Sequence, residues 1–172
     1  SIGSLFGIVF ACVSAYLISQ GYLVIGGGVV LLSSIFDAFD GAVARATGKE
    51  SPFGAILDST VDRLTESITL LGLLVFYIDA RQGFEWQIIL VAVTITTSYM
   101  VSYVRARAEG LGITCDVGIM QRPQRVVILC TGLIVGELWL PTLFISLVVI
   151  SLLSTVTTIH RLIHTKRELE IS

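Results

Sequence analysis

Long apolar runs fill most of this 172-residue chain and leave only short polar stretches between them. A helix needs about 20 mostly apolar residues to cross a bilayer, and only helices and closed barrels satisfy every backbone polar group there. With 54% hydrophobic and 14% charged residues, the chain is predicted to be an all-α integral membrane protein, folded as a six-transmembrane-helix bundle. The six predicted spans cover residues 2–19, 22–47, 52–78, 86–109, 119–135 and 141–163.

The breaks between these runs carry helix stop and start signals. Glycine, proline and charged residues cluster there, and Ser51 followed by Pro52 predicts the N-cap and the first residue of the third helix. The chain leaves no room for a separate soluble domain, so residues 1–172 are predicted to form one membrane domain. Because Ser1 is not a methionine and the chain is apolar almost at once, a preceding N-terminal segment is expected to be missing.

Basic residues gather on one side of the predicted bundle. If the spans alternate in direction, every Lys and Arg except Arg81 lies near the side that holds the C-terminal tail. Positive charge concentrates on the cytoplasmic side of membrane proteins. We therefore expect a multi-pass protein of the cell membrane, in contact with membrane lipids, with its active site at the cytoplasmic face and with no nucleic-acid partner.

Four aspartates interrupt the apolar second and third spans. Asp37 and Asp40 are three residues apart, which places both on one face of the second helix. Asp58 and Asp62 are four residues apart and form a matching stripe on the third helix. The short turn between the two helices makes them antiparallel neighbours. The four carboxylates are therefore predicted to face one another near the membrane surface.

These carboxylates require cations. Each one costs about 2.5–3.5 kcal/mol within a span, and neighbouring like charges raise that cost. An all-oxygen ligand set suits Mg²⁺, Mn²⁺ or Ca²⁺ rather than zinc. Two divalent ions would balance four carboxylates, so the segment predicts a metal site formed by Asp37, Asp40, Asp58 and Asp62.

Small residues accompany the aspartates on the same helix faces. Gly41, Ala44 and Gly54 leave the backbone open to the close approach of a phosphate. Two metals beside such a cleft are typical of phosphoryl transfer. A cation or proton transporter is the non-enzyme alternative, since carboxylates in a span can also pair with arginines. A transporter would not need the small residues, nor the arginine-rich stretch that is described below.

The spacing of these residues resembles the signature of the CDP-alcohol phosphotransferase family. The matching pattern is Asp37-x2-Asp40-Gly41-x2-Ala44-Arg45-x8-Gly54-x3-Asp58-x3-Asp62. The resemblance implies a six-helix membrane fold that is usually a homodimer. It also implies that the hydroxyl of a second alcohol displaces CMP from a CDP-linked lipid, assisted by two divalent cations, Mg²⁺ or Mn²⁺.

The same resemblance implies a role for each residue of the signature. Asp37 and Asp58 would bridge both metals, while Asp40 would hold one of them. Asp62 would hold the other metal and act as the catalytic base that takes the proton of the acceptor hydroxyl. The CDP-lipid would be bound by Asp37, Gly41, Ala44, Arg45, Ser51 and Gly54.

A second polar stretch, residues 103–125, is predicted to select the acceptor alcohol. It brings four arginines to the same side as the aspartates, where they can converge on one phosphate dianion. They are Arg105, Arg107, Arg122 and Arg125. A neutral acceptor would not need so many cations, whereas a phosphorylated one would. The alternative is that these arginines contact lipid headgroups on the cytoplasmic side.

The arginine-rich stretch is similar to the matching region of the phosphatidylinositol phosphate and archaetidylinositol phosphate synthases within that family. The resemblance implies transfer from CDP-diacylglycerol or CDP-archaeol to inositol 1-phosphate in phospholipid biosynthesis, with release of CMP. A phosphatidylglycerol phosphate synthase, whose acceptor is glycerol 3-phosphate, is the nearest alternative. A synthase of soluble inositol phosphodiesters is a third.

Overall fold

The computed structural model describes residues 2–46, 51–80 and 83–171, without the side chains of residues 2–5, 40, 44–46 and 171. Helices are the only regular secondary structure within that part, as the sequence predicted. They are α1 (Ile2–Ser19), α2 (Leu23–Ala46), α3 (Pro52–Asp79), α4 (Glu85–Glu109), α5 (Arg122–Gly136) and α6 (Pro141–Ile171). Each helix falls on one of the apolar runs.

The observed helices differ from the predicted spans mainly at α5 and α6. The fifth helix begins at Arg122 rather than at residue 119, because Gln121 is extended and Pro123 stands in the first turn. Gly112 and Gly118 before it have φ values of 81° and 117°, which keep residues 110–121 non-helical. α6 continues past residue 163 to Ile171, since a charged, solvated tail can extend a helix beyond its apolar part.

Three of the described helices contain stretches that are long and apolar enough to cross a membrane. They are Leu23–Val43 in α2, Glu85–Glu109, and Pro141–Glu170 in α6. Large apolar side chains on the bundle surface, such as Phe36 and Leu152, are exposed, as they are when lipid is the solvent. The chain is therefore a membrane protein. The 15 residues of α5 extend about 22 Å, short of the ~30 Å hydrocarbon core of a bilayer.

The helices pack as two groups of three, one around α1 and the other around α6. α1 packs against α2 and α3, and α6 packs against α4 and α5, while α2 contacts α5 and α3 contacts α4. The apolar core lies at the end of the bundle where α1 and α3 end and α6 begins, and it includes Ile18, Leu70, Leu73, Leu133 and Leu147. The predicted aspartates and arginines lie toward the opposite end of the same helices.

A glycine allows the backbones of α1 and α3 to approach each other closely. A Cβ atom at Gly72 of α3 would lie 2.5 Å from the Cα and the carbonyl oxygen of Ala15 in α1. Those atoms belong to backbone and cannot swing away. The spacing of α1 and α3 therefore depends on the absence of a side chain at this position.

Gly72→Ala is expected to lower the free energy of unfolding by about 1–3 kcal/mol, because the added methyl group overpacks the α1–α3 contact. Thermal unfolding of the detergent-solubilised protein measures the effect. Gly28→Ala in α2 is the matched control, since a Cβ there meets no atom within 4 Å. A melting temperature of Gly72→Ala at or above that of the control would contradict this account of the packing.

Candidate functional site

α3, which carries three acidic residues of the candidate site, begins with a capped first turn. Ser51 is the N-cap, with φ −126° and ψ 148°, and its Oγ accepts a 3.0 Å hydrogen bond from the Gly54 N–H. The predicted helix start is confirmed. A Cβ at Gly54 would lie 2.9 Å from this Oγ, so the glycine also serves the cap. From this start, Asp58, Asp62 and Glu66 follow at four-residue intervals along α3.

Arg122 of α5 connects two of the predicted metal ligands. Its Nη1 lies 2.6 Å from Asp62 Oδ1, and its Nη2 lies 3.6 Å from Asp37 Oδ2. The three side chains are partly buried and come from α5, α3 and α2. The structure therefore brings Asp37 and Asp62 together, as the sequence predicted, with a guanidinium between them.

The other residues of the acidic segment are distributed around this pair. Asp58 is exposed one turn before Asp62, and Gly41 is partly exposed one turn after Asp37. The predictions for the side chains of Asp40, Ala44 and Arg45 lie outside the described residues.

Among the described side chains, no three acidic, histidine or cysteine groups converge on a metal position. Asp37 and Asp62 nevertheless fit a divalent cation in their chemistry. Both supply carboxylate oxygens, both are partly buried, and they already share one positive group. The four-aspartate metal site remains a prediction.

A cavity of about 550 Å³ opens beside Asp62, between α3, α4, α5 and the end of α6. Its charged lining is rich in arginine. The charged lining residues are Asp62, Arg63, Glu66, Arg105, Glu109, Arg122, Arg125 and Arg161. Five cations therefore surround three carboxylates, and the cavity has a net positive charge that suits a dianionic ligand.

Three of the four predicted acceptor-binding arginines line this cavity, and Arg107 does not. Arg105 Nε donates to Glu109 Oε1 at 2.8 Å, and its Nη2 lies 2.6 Å from Asp116 Oδ1 in the α4–α5 connection. Arg107 is two residues along α4 and is exposed. A two-residue step turns a helical side chain by roughly 200°, which explains why only Arg105 faces the cavity.

Arg125 makes the most buried ion pair among the described residues. Its Nε and Nη2 donate to the two carboxylate oxygens of Glu66 at 2.7 Å and 2.8 Å. The two side chains are only 4% and 9% exposed. The sequence analysis did not select Glu66, although it continues the four-residue spacing of Asp58 and Asp62.

The cavity also contains Arg161, which the sequence analysis treated only as a basic residue of the cytoplasmic side. This α6 residue is 2% exposed. Its Nε donates to the Val117 carbonyl at 2.8 Å, and its Nη1 donates to the Val101 carbonyl at 2.6 Å. One turn earlier, Thr157 Oγ1 accepts from the Met120 N–H at 3.0 Å. α6 thus holds the segment that leads into α5 and its arginines.

Comparison with known proteins agrees with the signature read from the sequence. A sequence profile of the CDP-alcohol phosphatidyltransferase family matches residues 1–160. The chain belongs to the CDP-alcohol phosphatidyltransferase family. The expected family resemblance is confirmed, and Asp62 of this CDP-alcohol phosphatidyltransferase lines the basic cavity.

Curated relatives of this CDP-alcohol phosphatidyltransferase share about a third of its residues. An archaetidylinositol phosphate synthase of Methanothermobacter thermautotrophicus is 35% identical over 168 residues, which cover 97% of this chain and 83% of the relative. A phosphatidylinositol phosphate synthase of Mycobacterium tuberculosis is 35% identical over 150 residues, covering 85% of this chain and 69% of the relative.

Solved structures of the Mycobacterium tuberculosis phosphatidylinositol phosphate synthase share the fold. The structure with CDP-DAG bound gives a TM-score of 0.86 at 33% identity, covering 95% of this chain and 84% of that one. The structure in complex with manganese and citrate gives 0.85 at 34% identity, covering 94% and 79%. The described helices of this phosphatidyltransferase therefore follow a known enzyme fold.

Arg105→Ala is expected to weaken the binding of inorganic phosphate at least about tenfold, because a hydrogen bond to a charged group contributes about 1.5–3 kcal/mol. Isothermal titration of phosphate into the purified protein measures this affinity. Arg107→Ala removes the same charge two residues away and outside the cavity, so its affinity should match the parent. Equal losses in both variants would show that the cavity wall does not select the anion.

Proposed function

We propose that this chain transfers the phosphatidyl or archaetidyl group of a CDP-linked lipid to inositol 1-phosphate and releases CMP, as a transferase of phospholipid biosynthesis. The observation that carries the proposal is the cavity, which places Asp62 within one wall and five arginines around it. The named relatives support the same reaction, since both are synthases of inositol phosphate lipids.

The donor side of the proposed site is the acidic segment. Asp37, Asp40, Asp58 and Asp62 would hold two divalent cations, Mg²⁺ or Mn²⁺, and a relative crystallised with manganese supports this choice. When bound, the cations would neutralise charge on the diphosphate and orient the reacting oxygens. The CDP-diacylglycerol or CDP-archaeol would contact the following residues: Asp37, Gly41, Ala44, Arg45, Ser51 and Gly54. A relative solved with CDP-DAG bound supports this class of donor.

The acceptor side of the proposed site is the arginine-lined cavity. A phosphate monoester carries nearly two negative charges at neutral pH, and the cavity offers a positive excess to match them. Arg105 and Arg122 present guanidinium groups that can exchange their present carboxylate partners for the acceptor phosphate. Arg107 remains outside this set.

The chain's own residues account for the proton and for the direction of attack. The acceptor hydroxyl attacks the phosphorus atom that carries the lipid, while its proton passes to the Asp62 carboxylate. A phosphorus–oxygen bond to the acceptor forms, the bond to the CMP phosphate oxygen breaks, and CMP leaves with the electron pair. Asp62 suits this role because it lines the cavity that would hold the acceptor.

We further propose that residues 1–172 form one membrane domain with six spans, assembled as a homodimer in the cell membrane. The cavity lies at the end of the helices where basic residues gather, which supports an active site at the cytoplasmic face. Placing the cavity there lets a water-soluble acceptor enter while the donor's chains stay among the exposed apolar side chains of the bundle.

Two other functions remain as alternatives, and each predicts a different result when CMP release is measured. Glycerol 3-phosphate carries the same anionic group as inositol 1-phosphate, so a phosphatidylglycerol phosphate synthase would use the same arginines. A cation or proton transporter would use the paired aspartates and arginines without any chemical turnover. The family assignment favours an enzyme.

The deciding experiment measures CMP release by the purified protein with Mg²⁺ and either CDP-diacylglycerol or CDP-archaeol. Inositol 1-phosphate, glycerol 3-phosphate, free inositol and serine are compared as acceptors. Release with inositol 1-phosphate, abolished by a chelator and restored by Mg²⁺ or Mn²⁺, is the expected result. Release only with glycerol 3-phosphate would replace the acceptor, and no release with any acceptor would overturn the enzymatic proposal.

Asp62→Asn is expected to reduce turnover by at least about 100-fold, the usual contribution of a general base. CDP-lipid binding should persist, because three of the four aspartates remain. Asp79→Asn, at the far end of the same helix, is the control and should leave turnover unchanged. Turnover of Asp62→Asn within tenfold of the parent would remove Asp62 from the base role.

A further inference from the structure

Two ion pairs connect α3 and α5 across the cavity. α3 packs mainly against α1 and α4, whereas α5 packs mainly against α2 and α6. The first ion pair joins Asp62 to Arg122 near the opening. The second joins Glu66 to Arg125 one turn deeper. Contacts between side chains, rather than close packing of the backbones, therefore set the distance between α3 and α5.

The deeper pair fixes Arg125 in one orientation. Both oxygens of Glu66 are occupied by Nε and Nη2 of Arg125, so the flat guanidinium cannot rotate without breaking two short bonds. The remaining nitrogen, Nη1, has only a long 3.5 Å contact with the Met120 carbonyl. Arg125 also lines the cavity, and Nη1 carries a second N–H that it can donate to a ligand there while both bonds to Glu66 remain.

The energetics of burial argue against a purely stabilising role for this pair. Removing two charges from water costs several kcal/mol for each ion, and apolar residues of similar volume often stabilise a protein as well or better. The same helices already pack through apolar side chains such as Leu70 and Leu129 just beyond the pair. A buried ion pair at the edge of a polar cavity is better explained by a requirement for a charge at a fixed position.

We propose that Glu66 is a positioning residue for the acceptor phosphate, acting through Arg125. This role rests on the proposed function and deepens it. It makes a residue outside the signature responsible for the orientation of Arg125, one of the arginines that would bind the acceptor phosphate. Glu66 holds the Arg125 guanidinium in one orientation, in which Nη1 can donate to the acceptor phosphate. It touches neither the donor nor the reacting atoms.

The test is the variant Glu66→Gln, which keeps the size of the side chain but accepts only one of the two hydrogen bonds. The acceptor KM is expected to rise at least about tenfold, because loss of one bond to Glu66 lets the Arg125 guanidinium rotate. The KM for the CDP-lipid is expected to stay within about twofold of the parent.

Glu137→Gln is the matched control. In the parent protein, the Glu137 carboxylate also bonds to another helix: its Oε2 accepts a hydrogen bond from the Val24 N–H at 2.6 Å. That contact lies at the opposite end of the bundle. This variant should lower the melting temperature without changing the acceptor KM, which separates loss of a structural carboxylate from loss of a positioning one.

A second variant removes the pair as a whole. Glu66→Met combined with Arg125→Met replaces two buried charges by apolar side chains, so the melting temperature should match the parent or exceed it. The acceptor KM should rise at least as much as in Glu66→Gln. A double variant that keeps the parental acceptor KM would show that the pair is only structural, and would overturn the proposal.

Failure of this inference is distinguishable from failure of the proposed function. CMP release by the parent protein with inositol 1-phosphate comes first and depends on the proposed function alone. With that activity present, an unchanged acceptor KM in Glu66→Gln rejects the positioning role. Equal rises in the KM values of donor and acceptor would reject it as well, because they would indicate a general distortion of the site.

Discussion

Charge pairing in an apolar surrounding is the constraint on which the polar half of this protein depends. Carboxylates and guanidinium groups within a helix bundle are costly unless they meet a partner. On α3, Asp62 and Glu66 meet that requirement through residues of α5. On α4, Arg105 meets it through Glu109 and Asp116. The pairs that solve this electrostatic problem also surround the cavity in which we place the reaction.

The two halves of the bundle differ in what holds the helices together. The half that contains Ile18, Leu73 and Leu147 is packed with apolar side chains and gives the helices their relative positions. The other half combines buried apolar residues such as Val101 and Met120 with ion pairs and with hydrogen bonds such as those from Arg161 to two carbonyls. Side chains that are already paired can exchange partners with an incoming anion, whereas a packed apolar core offers no such exchange.

Local signals explain what the sequence predicted well. The apolar runs located all six helices, and Ser51 with Pro52 located the start of α3, because these signals act over a few neighbouring residues. The partner of Glu66 lies 59 positions away on another helix, so its role depends on tertiary packing that no local pattern encodes. The side chain of Asp40 lies outside the described residues, and its predicted role therefore rests on the signature alone.

The Gly72 contact has a mechanical consequence for the distant site. Asp58 lies 14 residues before Gly72 on the same continuous helix, which corresponds to about 21 Å along its axis. With the contact to Ala15 as the pivot, a tilt of roughly 3° at that point moves Asp58 by about 1 Å. Misplacement of that size can cost about 100-fold in rate. The fit of the α1 and α3 backbones in the apolar half therefore sets the position of Asp58, and with it the alignment of the proposed reaction.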